Sequence, residues 1–102
     1  MKQIIQGKMY NTETAKHIGN YSNDVPYGDL DYFNEDLYLK KTGEFFLYGS
    51  SGAMGCYAES TGTGGYTGGS RIVPITEQEA KEWVGMHLDA DTYVELFGEP
   101  EE

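Results

Sequence analysis

The sequence changes its hydrophobic period once, at Thr76-Glu77-Gln78-Glu79. A threonine followed three residues later by glutamate is a capping box. The hydroxyl accepts from the N3 amide, and the N3 carboxylate reaches back to the N-cap amide. Beyond it, Ala80, Trp83, Val84, His87 and Leu88 recur at spacings of three and four, one face of a helix. Ile75 and Ala80 occupy the hydrophobic-staple positions on either side of the box. Asp89 is placed to cap a second helix through Tyr93, Leu96 and Phe97, with Gly98 as its stop. Before the box, apolar residues alternate or run in short stretches between turn formers, as strands do. The pattern predicts helices over 77–88 and 90–97 and an α+β fold, a small antiparallel β-sheet followed by two short C-terminal α-helices. The chain reads as a single domain over 1–102: mainly β over 1–75, helical over 76–98, with an acidic tail over 99–102.

Within the β region, Ile4 and Ile5 precede a turn at Gln6-Gly7-Lys8, and Met9 and Tyr10 resume the apolar pattern. Residues 15–20 alternate with period two and read as a strand, with a helical turn over Thr12–Ala15 as the alternative. Residues 22–34 hold Ser22, Asn23, Asp24, Pro26, Gly28 and Asp29, turn formers that predict a loop. The clearest hairpin joins Asp36-Leu37-Tyr38-Leu39 to Glu44-Phe45-Phe46-Leu47-Tyr48-Gly49, with Gly43 supplying a positive φ. Phe45 and Leu47 share one face and Phe46 and Tyr48 the other, which predicts a central strand covered on both sides. Eight glycines fall between Gly49 and Gly69. At that density the stretch 49–70 reads as a loop or a hairpin with irregular ends. Arg71–Ile75 closes the sheet, and Pro74 assigns it to an edge.

Charge excludes more than it assigns. Seven Lys and Arg stand against seventeen Asp and Glu, a formal net charge of −10. Direct binding of DNA, RNA or an anionic membrane needs cations this chain lacks. A basic partner is its electrostatic complement. The acidity is also localised. Residues 77–102 carry nine acids and one base, Lys81, hence −8, whereas residues 1–76 carry eight acids and six bases. Residues 1–8 lack the apolar run of a secretory signal, and no apolar stretch approaches a membrane span, so a cytoplasmic protein is expected. One cysteine, Cys56, excludes an intramolecular disulfide.

Motifs for chemistry are weak. Gly62-Thr63-Gly64-Gly65-Tyr66-Thr67-Gly68 has a loose phosphate-loop spacing but no following Gly-Lys-Ser/Thr, and a strand comes next instead of a helix. His17, His87 and Cys56 are isolated, with no metal-ligand spacing. The acids from Asp24 to Asp36 lack the spacing of a calcium loop. No catalytic residue, metal or cofactor is expected. The like-charge spacings Glu79/Glu82 and Asp91/Glu95 cost a few tenths of a kcal/mol each on an isolated helix, which points to a use for the acidic face.

Three stretches carry a family resemblance: Gly7–Ala15, Glu35–Gly49 and Gly68–Trp83. Together they resemble small acidic accessory proteins of Gram-positive plasmids, conjugative elements and phages. The resemblance implies a setting in which such proteins counter host defence, as anti-CRISPR or anti-restriction inhibitors do. The expectation is a non-catalytic inhibitor acting in the cytoplasm of a bacterial host, its partner a basic nucleic-acid-binding protein such as a Cas9-type effector. The candidate contact residues are Asp24, Asp29 and Asp31 of the loop, Glu77, Glu79, Glu82, Asp89, Asp91 and Glu95 of the helices, and Tyr66, Tyr93 and Phe97 as aromatic anchors. Two alternatives stand beside it. One is a structural or oligomerising protein that binds through its Gly/Tyr-rich loop. The other is a small hydrolase or metal-dependent enzyme.

Overall fold

A computed structural model describes residues 1–101; Glu102, the last residue of the expected acidic tail, lies outside the described residues. Strands β1 (Lys2–Ile5) and β2 (Lys8–Asn11) form a two-residue hairpin. Its turn residues Gln6 and Gly7 both have positive φ, 50° and 78°, the left-handed pair that matches strand twist in a tight hairpin. Residues 12–15 make a turn, not a strand: the amides of Thr14 and Ala15 both donate to the Asn11 carbonyl. Strand β3 (Lys16–Ser22) then begins one residue later than the alternation suggests, and a bulge between His17 and Gly19 breaks its period.

The main sheet is antiparallel, in the order β3-β4-β5-β8, with β4 over Phe33–Leu39, β5 over Phe45–Ser51 and β8 over Gly69–Ile75. The β4–β5 turn closes with Lys40 and Glu44 paired and Gly43 at φ 91°, as its sequence predicts. The Gly-rich stretch is more structured than a loop. Strand β5 runs three residues into it and β8 begins two residues before Arg71. Between them a short ribbon pairs β6 (Glu59–Ser60) with β7 (Tyr66–Thr67).

Strand β5 is central and covered on both faces. On one face Leu37, Phe45 and Leu47 pack with Ala80, Trp83 and Val84 of helix α1 (Glu77–His87). On the other, Phe46 and Ile72 pack with Tyr10 of the β1–β2 hairpin. Both hydrogen bonds of the capping box form, at 3.1 Å from the Glu79 amide to Thr76 Oγ1 and 3.0 Å from the Thr76 amide to Glu79 Oε1. Asp89 caps helix α2 (Ala90–Phe97) by accepting from the Thr92 amide, and Gly98 ends it at φ 83°.

Both sheet edges are blunted. Pro74 of β8 faces Phe46 without an amide proton, so by strand alternation Ile72 also turns its N–H outward. That N–H donates to the side chain of Gln3. The β3 edge carries the bulge and Lys16.

Candidate functional site

The expected contact residues divide between opposite faces of the sheet. The helical acids Glu77, Glu79, Glu82, Asp89, Asp91 and Glu95 are all exposed. Two of them have local duties, Glu79 in the capping box and Asp89 as N-cap. The Thr92 hydroxyl, then its amide, hold the Asp89 carboxyl below the usual carboxylate range. No ion pair among the described residues reaches any acid of this segment. Lys81, its one cation, lies 5.7 Å from the ring centre of Phe97.

Tyr93 and Phe97 do not stand out from this surface. They are half-buried against the core that α1 and α2 share with the sheet. Phe97 packs on Phe45 at 5.6 Å and Tyr93 on Phe97 at 5.2 Å. An eight-residue amphipathic helix needs its apolar stripe to dock, so its two rings face inward.

Register builds a node that sequence reasoning missed. Tyr21, Glu35, Gly49 and Arg71 form one cross-strand row under the helix layer. The Glu35 carboxylate accepts from Trp83 Nε1 at 2.9 Å and from the hydroxyl of Tyr57. Tyr57 is laid across Gly49, where any Cβ would overlap its ring. Phe33 stacks on it at 5.9 Å, and Arg71 sits 5.0 Å from the ring centre. Burial, then the Glu35 carboxylate, pushes the Tyr57 hydroxyl well above the ordinary phenol range. The Tyr57 amide donates to Ser51 Oγ, so this one residue pins the glycine-rich segment to the sheet. The available signal was Gly49 itself. An isolated glycine in an apolar strand marks a close approach from above.

The opposite face carries a second node. Asp36 accepts from His17 Nε2 at 2.9 Å, from Asn20 Nδ2 at 3.0 Å and from Asn34 Nδ2 at 3.1 Å. Glu35 and Asp36 are therefore internal bonding groups, whereas Asp24, Asp29 and Asp31 are exposed. His17 bonds to Asp36 and to no hydroxyl or thiol, His87 stacks on Tyr21 at 4.0 Å on the other face, and Cys56 is exposed in a loop. Among the described residues no group of His, Cys, Asp and Glu is gathered for a metal. Among the described residues no helix is long and apolar enough to cross a membrane.

Beside this node lies an open cleft of about 660 Å³. Strand alternation puts Tyr48, Ser50 and Ser70 at its floor, on the face turned away from the helices. One wall is the 27–32 loop, with Tyr27 and Tyr32 in edge-to-face contact at 5.3 Å. That loop is fastened by Gly52 N–H to the Tyr32 carbonyl and Met54 N–H to the Leu30 carbonyl. The other wall is the β6–β7 ribbon, which presents Tyr66. Of the expected contact residues, Asp29 and Tyr66 line this cleft, and Asp24 and Asp31 flank it in sequence. The fold joins these four to one another, not to the helical acids. Comparison of the chain with protein-family models, curated proteins and solved structures finds no match.

Proposed function

We propose that this chain is a non-catalytic protein inhibitor that occupies a basic, nucleic-acid-binding surface of a bacterial defence protein. One observation carries the reading. Glu77, Glu82, Asp91 and Glu95 of the two short helices and Glu99 and Glu101 just beyond them are exposed and make no ion pair among the described residues. Like charges gathered this way repel, and a basic surface converts that repulsion into attraction. Carboxylates held on short, capped helices stand in for phosphates. They supply on-rate and selectivity, while apolar contact supplies most of the affinity. The mobile-element setting implied by the resemblance makes a Cas9-type effector, with its basic nucleic-acid channels, the first partner to test. The action belongs to the cytoplasm of the bacterial host.

The test is a pull-down from host lysate at low and raised salt, followed by a nuclease assay with the retained protein. A nucleic-acid-binding protein held at low salt, released at high salt and inhibited by the chain is the expected result. The triple variant Glu82→Gln, Asp91→Asn, Glu95→Gln should lose most of that inhibition. Retention of no such protein overturns the reading. Full activity in the triple variant, with loss on trimming residues 60–68, moves the function to the Gly/Tyr-rich ribbon.

A further inference from the structure

The tyrosine-walled cleft has features that the acidic helices do not explain. Soluble chains seldom leave large ring faces open together, yet Tyr27 is 87% and Tyr66 67% exposed, and both line the same cleft. Leu30 and Met54, also exposed, sit where the 27–32 loop is bonded to residues 52–54. The wall is pre-formed. Asn23 donates to the Asp31 carbonyl and accepts from the amides of Val25 and Phe33, fixing the loop before any ligand arrives.

Charge selects the ligand. Among the described residues no Lys, Arg or His lines the cleft, and its one charged side chain is Asp29. Asp24 and Asp31 add two exposed carboxylates from the same loop, and none of the three is ion-paired among the described residues. A phosphate-bearing ligand would meet only repulsion there, and a cationic one meets carboxylate and ring faces together. Among cations a guanidinium fits best. It is planar, stacks on tyrosine and pairs with a carboxylate through two parallel bonds. The molecule already uses that stacking once, Arg71 on Tyr57.

Shape adds the second constraint. The cleft is open to solvent, and its volume of about 660 Å³ has room for several residues of an extended chain. Its floor presents the Ser50 and Ser70 side chains, and both sheet edges are blunted against strand addition. A peptide there is read by its side chains. Aromatic-walled grooves with an acidic rim suit a polyproline-type backbone, which binds with little ordering cost.

We propose that this cleft is a binding site for an extended, arginine-bearing peptide segment, held between the rings of Tyr27 and Tyr66 and paired to Asp29. It goes beyond the inhibitor reading and does not depend on it, because the cleft and the acidic helices lie on opposite faces of the sheet. The probe is a capped octapeptide of alternating arginine and proline, followed by calorimetry and by the tyrosine ring resonances of the full chain. An alternating lysine–proline peptide and a neutral hexasaccharide are the controls.

The arginine peptide should shift the rings of Tyr27, Tyr48 and Tyr66 and bind about threefold tighter than the lysine peptide. Tyr27→Ala with Tyr66→Ala should weaken it about tenfold, and Asp29→Asn by several-fold. Both rings are exposed, so these variants keep the fold. The triple helical variant Glu82→Gln, Asp91→Asn, Glu95→Gln should bind the peptide as the parent does. Any of three results overturns the proposal: no shift in the cleft rings, binding lost with the helical acids instead of the tyrosines, or ring shifts with the saccharide and none with the peptide.

Discussion

The two faces of the four-stranded sheet are covered in different ways. On one, a helix with a hydrogen-bonded capping box lays Ala80, Trp83 and Val84 over Leu37, Phe45 and Leu47, and a second capped helix extends the cover with Leu96 and Phe97. On the other, a four-residue-strand hairpin reaches the sheet mainly through Tyr10, set edge-on to Phe46 at 5.5 Å. The first cover is broad and apolar and extends to the Glu35 node. The second is narrow and leaves half the face polar and open. Stability and accessibility are thus divided between faces of one sheet: the helix side holds the fold, and the hairpin side leaves room for a ligand.

This contrast can be broken by mutation. Trp83→Ala should have the largest effect, about 3–5 kcal/mol in denaturant unfolding, because it empties a core position and removes a donor from Glu35. Tyr10→Ala should cost about 1–3 kcal/mol, and locally. Amides of Lys2–Asn11 lose hydrogen-exchange protection while those of β5 keep theirs. If Tyr10→Ala lowers global stability as much as Trp83→Ala, the two faces are one cooperative unit and the contrast fails.

Two smaller changes sharpen the helix side. Thr76→Ala removes one half of the capping box and should destabilise by about 1 kcal/mol. Gly85→Ala should stabilise by about 0.8–1 kcal/mol, since Gly85 is exposed in the helix interior and a Cβ there meets nothing. Thermal unfolding reads both.

The smallest effect is one of pH, on the hairpin side. The Glu44 carboxylate accepts from Lys8 of β2, from Lys40 and from Thr42, and these bonds hold its pKa at about 2, against an ordinary value of 4.5. A depressed carboxyl pKa contributes stability that is complete above the unfolded value and lost as pH falls through the folded one. The hairpin's exchange protection should therefore decline between about pH 4.5 and 2, and Glu44→Gln should flatten that decline. On the alkaline side Glu44 raises the Lys8 pKa above its ordinary 10.5, so the tie persists through the neutral range.

What the sequence made legible was local. Thr76/Glu79, Asp89, Gly98 and Gly43 act within one turn of chain, and each forms the cap or turn its residue type dictates. The central placement of β5 followed from Phe45, Phe46, Leu47 and Tyr48 lying apolar on both faces. The sites were not local. Glu35 meets Tyr57 and Trp83 across 22 and 48 residues, through a register that no spacing encodes. The cleft needs four segments at once: the 27–32 loop, the end of β5, the β6–β7 ribbon and the start of β8. Tyr93 and Phe97 are expected as contact anchors yet are half-buried against the core, because residue type does not say which side of a short helix the rest of the chain will claim.

The blunted edges carry a consequence for self-association. A sheet grows by templating, each newcomer completing the donors and acceptors left on the last strand. Here the β8 edge offers Pro74, which has no proton, and an Ile72 proton already taken by Gln3, while the β3 edge is kinked by its bulge. A chain so closed resists polymerising through its backbone even when crowded, and whatever it recognises it recognises through its faces.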